Sequence, residues 1–253
     1  MIIKGVTDNI SFKSKTNFLD YVGENKEKII DTKKSIIKMG YLADFFFEEQ
    51  TKEQESFLSD FLFKNIEENQ NNTNILSKKL AINSTNYLDS HQDLHIKGIW
   101  DDSIPEVQGK IYLVNNHELN HKEVIAYPES INISTKIVSF RSLGVDSDLE
   151  TQLLVFDAEI KQEINSLMYE RYLKGLVKQH SIRMSYVGIQ MALKSDSELF
   201  VEENYLFEKF LKQMANPEIA LSDEVYWIVS KANIKSEGSS VIFGSNKITP
   251  VLN

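Results

Sequence analysis

Residues 176–193, LVKQHSIRMSYVGIQMAL, decide the fold. Ile182, Met184 and Tyr186 alternate with Ser181, Arg183 and Ser185, the two-residue period of a strand with one apolar face. The apolar set then shifts to Val187, Ile189, Met191 and Leu193, which requires a β-bulge near Gly188. Ser181 therefore projects from mid-strand, away from the apolar face. A serine so placed ordinarily makes cross-strand or surface contacts, and the chain has no G-x-S-x-G nucleophile elbow.

On either side of this strand the pattern alternates between helix and strand. Ile160, Ile164, Met168, Tyr172 and Leu176 share a face, which predicts a helix over 158–175 with Asp157 as N-cap. A second helix is expected over 200–214, ended by Asn216-Pro217. Short β-rich runs occur at 80–82, 110–114, 131–140, 225–232 and 240–243. Upstream, 16–31, 33–47 and 52–68 read as helical, and the polar run 67–74 (EENQNNTN) reads as a linker. The expected organisation is a helical N-terminal extension over 1–77 and an α+β domain over 78–253. That domain would be a short-stranded, mainly antiparallel sheet or barrel.

Composition narrows the chemistry. The 253 residues are 42% apolar and 26% charged, as in ordinary globular proteins. The absence of cysteine excludes disulfides, thiolate metal sites and cysteine nucleophiles. No apolar run reaches the roughly 18 residues of a membrane helix, and the start lacks a signal-peptide core, so a soluble cytosolic chain is expected. The net charge of −9 argues against nucleic-acid binding. It is unevenly spread: residues 1–43 are net +3, residues 44–68 net −6 and residues 80–253 net −8.

Four of the five histidines (His91, His95, His117 and His121) fall between 91 and 121; the fifth is His180. Asp89, His91, Asp93 and His95 are ligand types for a metal, yet the same residues make an ordinary polar turn closing on Gly98. Read together, D-S-H-x-D-x-H-x-x-G at 89–98 with Trp100, N-H-E at 116–118, S-I-R-M at 181–184 and E-G-S at 237–239 with Asn246 form an ordered series. This series resembles the tailed-phage prohead proteases, capsid-maturation serine peptidases related in fold to herpesvirus assemblin. The resemblance covers about 78–250 and leaves the N-terminal extension aside.

The resemblance implies a small, mainly antiparallel β-barrel flanked by helices and a serine endopeptidase needing no cofactor or metal. It makes Ser181 the nucleophile, His117 its base and Glu237 the acid that orients the imidazole. Implied substrates are scaffolding protein, the removable segment of the major capsid protein, and the enzyme itself, inside a procapsid in the host cytoplasm. Self-association as a homo-oligomer is compatible with it; nucleic acid and membrane are not expected partners. The N-terminal extension either packages the enzyme through scaffold or capsid contacts or braces its core.

Two positions depart from the family pattern. Glu118 stands where Asp is usual, and Arg183 where Gly is usual. Arg183 either brings a cation near a developing oxyanion or faces solvent. Two further classes stay open: an inactive head or assembly protein that keeps the fold, and a metal-dependent hydrolase built on Asp89, His91, Asp93 and His95.

Overall fold

The computed structural model describes residues 2–4, 10–38 and 74–252. The helix expected over 52–68, all of the linker expected at 67–74 except Asn74, and most of 33–47 lie outside the described residues. The fold is mixed α+β.

The N-terminal part opens with a small hairpin, β1 (Ile2–Ile3) and β2 (Ile10–Ser11), followed by α1 (Lys15–Ser35). Ser14 caps α1 by accepting a 3.2 Å hydrogen bond from Asn17 N. The buried face of α1 is Phe18, Val22, Ile29 and Lys33, and its apolar members enter the main core. Residues 33–35 finish this helix instead of beginning another, and Ile36 is already extended. The boundary drawn at 77/78 falls inside β3 (Ile75–Ser84).

The strands form two larger sheets. In one, β3 lies between β8 (Glu150–Lys161) and β11 (Val251–Leu252), with β7 (Ile131–Ser139) beyond β8. The other is built on the 17-residue β10 (Val225–Val241). One side of β10 pairs with β9 (Gln179–Leu193), antiparallel. Its other side takes β4 (Asp93–His95) and then β5 (Tyr112–Asn115), both parallel. β6 (Val124–Ala126) completes this sheet against β5. The helices are α2 (Ser103–Val107), α3 (Ser166–Leu173), α4 (Val201–Leu211) and α5 (Pro217–Asp223). Among the described residues the two sheets do not close into a barrel.

The sheets face each other across one core. A Cβ at Gly238 would stand 2.6 Å from Phe156 Cε2 and 3.3 Å from Ile82 Cγ2, so β10 of one sheet approaches β8 and β3 of the other at a position only glycine fits. The bulge expected near Gly188 is present as register shifts between Val229 and Ala232. A Cβ at Gly188 would meet Ser230 Oγ at 2.5 Å.

Two sequence expectations are corrected. The helix expected from 158 begins at Ser166, capped by Asn165, whose Oδ1 accepts from Met168 N at 3.1 Å. Residues 158–161 instead finish β8, where Leu154, Phe156, Ala158 and Ile160 line the core face at period two. Asp157 caps nothing and pairs with Lys79 of the neighbouring strand. The strands expected at 225–232 and 240–243 are joined in one continuous β10 that ends at Val241, so Glu237 lies within a strand.

Candidate active site

Strand register fixes the arrangement. Ser181 pairs directly with Ser239, so their side chains leave the same face of the β9–β10 ribbon. Arg183 and Glu237, each two residues away along its strand, share that face and are joined by a 2.9 Å bond from Arg183 Nε to Glu237 Oε1. The opposite face carries Ile182 and Gly238 into the core.

His117 is delivered to the polar face by the turn after β5. Asn116 and His117 both have positive φ, 51° and 60°, a left-handed pair that non-glycine residues adopt at a cost. Hydrogen bonds to β10 hold the turn: Asn116 N donates to Ser240 O at 2.9 Å, and His117 N donates to Ser239 Oγ at 2.8 Å. His117 Nδ1 lies 2.8 Å from Glu237 Oε1. The carboxylate accepts, so Nδ1 carries a proton, and in the neutral imidazole the lone pair is then on Nε2. That Nε2 is buried and has no hydrogen-bond partner among the described residues. Glu237 is fully buried.

Arg183 neither faces solvent freely nor stands apart from the acid. Besides Glu237 it reaches the His117 main-chain oxygen, through Nη2 at 3.0 Å. His117 and Arg183 border an open cleft of about 590 Å³ whose other lining, including Asn116, Glu118 and Asn120, is polar.

Ser181 is nearly buried and borders a separate small cavity with Asn246, His91 and Lys38. Its hydroxyl is not hydrogen-bonded to His117 Nε2. The structure thus brings His117 and Glu237 into contact and puts Ser181 on their face of the ribbon, directly opposite Ser239, the residue that holds the His117 N–H. Catalytic hydrogen bonds are often loose without substrate and tighten in the reactive complex.

The other motif residues have structural partners. His180 points to the opposite face, where Nδ1 donates to Thr249 O at 2.9 Å and Nε2 accepts from Tyr172 OH at 3.0 Å. Burial holds its pKa down at about 4, so it is neutral. Asn246 accepts from Ser84 Oγ at 2.8 Å and donates to Ser84 O at 2.9 Å, tying the C-terminal segment to β3. His121 is exposed.

Asp89, His91 and Asp93 do cluster, with ligand atoms within 4.8 Å of one another, whereas His95 points instead to Asn83 and Tyr186. The charge of Asp93 is met by Lys33 of α1, whose Nζ is 2.6 Å from Oδ1, and its Oδ2 accepts from Tyr186 OH at 2.7 Å. Asp89 Oδ1 accepts from the backbone N–H groups of His91 and Asp93, at 2.8 and 2.9 Å. Burial lowers the Lys33 pKa to about 8, against the opposing pull of Asp93. A metal here would have to displace this ammonium.

Sequence reasoning missed Ser239 as the anchor of the His117 turn and the bond of Arg183 to the acid. Glu237 and Ser239 stand two residues apart, a strand signal that the adjoining glycine obscured. No known protein-family model, curated protein or solved structure matches the chain.

Proposed function

We propose that the protein is a serine endopeptidase of the prohead-protease kind, with Ser181 as nucleophile and His117 as its base. The observation that carries this reading is the buried His117–Glu237 pair at 2.8 Å, on the ribbon face shared with Ser181. A serine hydroxyl is a weak nucleophile and needs such a base. In the proposed reaction Ser181 Oγ bonds to the scissile carbonyl carbon while its proton passes to His117 Nε2. Collapse of the tetrahedral intermediate breaks the C–N bond, and His117 returns the proton to the leaving amine. Water then cleaves the acyl-enzyme by the same base. Glu237 holds the Nδ1–H tautomer and stabilises the imidazolium.

The finer fold reading, that the two facing sheets correspond to the barrel of this family and of assemblin, belongs to the same proposal. So do the substrates, namely scaffolding protein, the capsid-protein segment and the chain itself, and the site of action inside a procapsid. No helix among the described residues is long and apolar enough to cross a membrane. For the N-terminal extension, packing favours the brace. Lys4, Lys15, Lys26 and Lys33 pair with Asp223, Glu224, Glu203 and Asp93 of the same chain.

A second reading, an inactive assembly protein on the same scaffold, is favoured by the missing Ser181–His117 hydrogen bond. One experiment separates them. Incubated with a fluorophosphonate, wild-type protein should be labelled at Ser181 and Ser181→Ala should not. Self-cleavage or capsid-protein cleavage should disappear in the same variant. Cleavage by Ser181→Ala at the wild-type rate overturns the peptidase reading, and folded wild-type protein that is never labelled supports the inactive one.

A further inference from the structure

We infer that Arg183 is the positioning residue of this site, a clamp that fixes the His117–Glu237 pair from the strand carrying Ser181. The inference rests on the peptidase reading for its kinetic consequence but on geometry alone for the clamp.

Glu237 has one occupied oxygen. Oε1 accepts both His117 Nδ1 and Arg183 Nε, at 2.8 and 2.9 Å, while Oε2 is buried with no partner among the described residues. Among the described residues, the carboxylate is therefore oriented by those two donors. A fully buried carboxylate is costly unless its charge is met, and the guanidinium meets it. Without Arg183 the acid loses both its counter-charge and half of its orientation.

The same guanidinium secures the base. His117 sits in a left-handed turn, with φ at 60°, that must be held by its surroundings. Ser239 Oγ takes the His117 N–H, and Arg183 Nη2 donates to the His117 carbonyl at 3.0 Å. Both polar ends of the residue are pinned, one from β10 and one from β9. Arg183 is two residues from Ser181 on the same face, so the strand bearing the nucleophile also sets the position of the base.

The two bonds run in different directions, to a side-chain oxygen and a main-chain oxygen, from Nε and Nη2 of one planar group. Lysine offers a single point charge and cannot reproduce this fork. The side chain is only 22% exposed, which leaves its role internal to the site.

The test is the kinetics of fluorophosphonate labelling, in which the Ser181 Oγ–P bond forms, fluoride leaves and the proton goes to the base. Arg183→Ala should lower the maximal rate of labelling about 10²-fold, within the range a general base supplies, and leave the half-saturating probe concentration within about twofold. Added methylguanidinium should restore at least several-fold of that rate in Arg183→Ala and none in Ser181→Ala. Arg183→Lys, which keeps charge, should recover less than tenfold. Unchanged labelling by Arg183→Ala, or a loss confined to half-saturation, overturns the clamp.

A second readout is independent of catalysis: the low-field proton resonance of His117 Nδ1–H. It should be present in wild type and lost or exchange-broadened in Arg183→Ala and Arg183→Lys. An unaltered resonance overturns the clamp even if no labelling occurs, whereas a lost resonance in protein that never labels sinks only the peptidase reading. If Arg183→Ala fails to fold, Arg183→Lys carries both measurements.

Discussion

His117 Nδ1 and Glu237 Oε1 are 2.8 Å apart across 120 residues of chain, and β10 closes that distance. Its parallel pairing with β5 runs from Glu237 opposite Tyr112 to Ser240 opposite Asn115. The β5 turn then folds His117 back over the residues just paired. Parallel pairing is what lets a turn at the end of one strand reach a side chain on its neighbour.

Glu237→Gln keeps the shape and removes the charge. The amide oxygen still accepts from His117, but the imidazolium formed in the reaction loses its counter-ion. The rate of fluorophosphonate labelling should fall by about 10²–10⁴-fold. Leaving Arg183 without its anionic partner should also cost about 1–3 kcal/mol of stability, measurable by denaturant titration.

The turn itself is testable at Asn116, where φ is 51°. Glycine accepts this conformation freely, alanine only at a cost. Asn116→Ala should destabilise by about 1–2 kcal/mol and slow labelling, while Asn116→Gly should hold the wild-type rate. Thermal midpoints and labelling rates on the pair of variants decide it.

Gly238 separates Glu237 from Ser239 and has no room for a methyl group, with Phe156 Cε2 2.6 Å from a Cβ built there. Gly238→Ala forces either the ring or β10 to move, a cost of about 1–3 kcal/mol. Because the strand carries the acid and the His117 anchor on its other face, activity should fall further than stability alone explains. Retained labelling with a lowered thermal midpoint would mean that Phe156 yields and β10 does not.

These relationships explain how far the sequence could be read. The β9 strand and its bulge were legible because alternation is local and Gly188 marks the irregularity. The residues of the His117–Glu237 pair were legible as types in a motif order. β8 was hidden because Ile160, Ile164 and Met168 also fit a helical spacing. The pairing of β8 with β3 and β7 across the sheet settles the choice. The role of Arg183 was unreadable, since its two acceptors lie 54 and 66 residues away.

The Lys33–Asp93 pair is fully buried and fastens α1 against β4, with Lys33 also 4.7 Å from the Trp227 ring centroid. Removing one partner strands the other charge. Lys33→Met should cost about 3–5 kcal/mol, and Lys33→Met with Asp93→Asn should recover much of that loss. A double-mutant cycle by denaturant unfolding measures the coupling.

Acid stability follows from His180. Its pKa is held at about 4 in the folded chain by burial, against an ordinary value of 6.5. The unfolded chain therefore takes up a proton between pH 6.5 and 4 that the folded chain refuses. The sign is a loss of stability as pH falls through that window, full stability being present above pH 6.5. The contribution reaches about 3 kcal/mol near pH 4. His95, whose pKa burial also lowers, adds in the same direction. Asp93, held below its ordinary value by Lys33 against the opposing effect of burial, adds only at still lower pH. His180→Asn retains a donor toward Thr249 but does not titrate. It should be less stable than wild type at pH 7, with a visibly shallower fall to pH 4. A wild-type slope in that variant, read from denaturant unfolding at stepped pH, would assign the acid sensitivity to other groups.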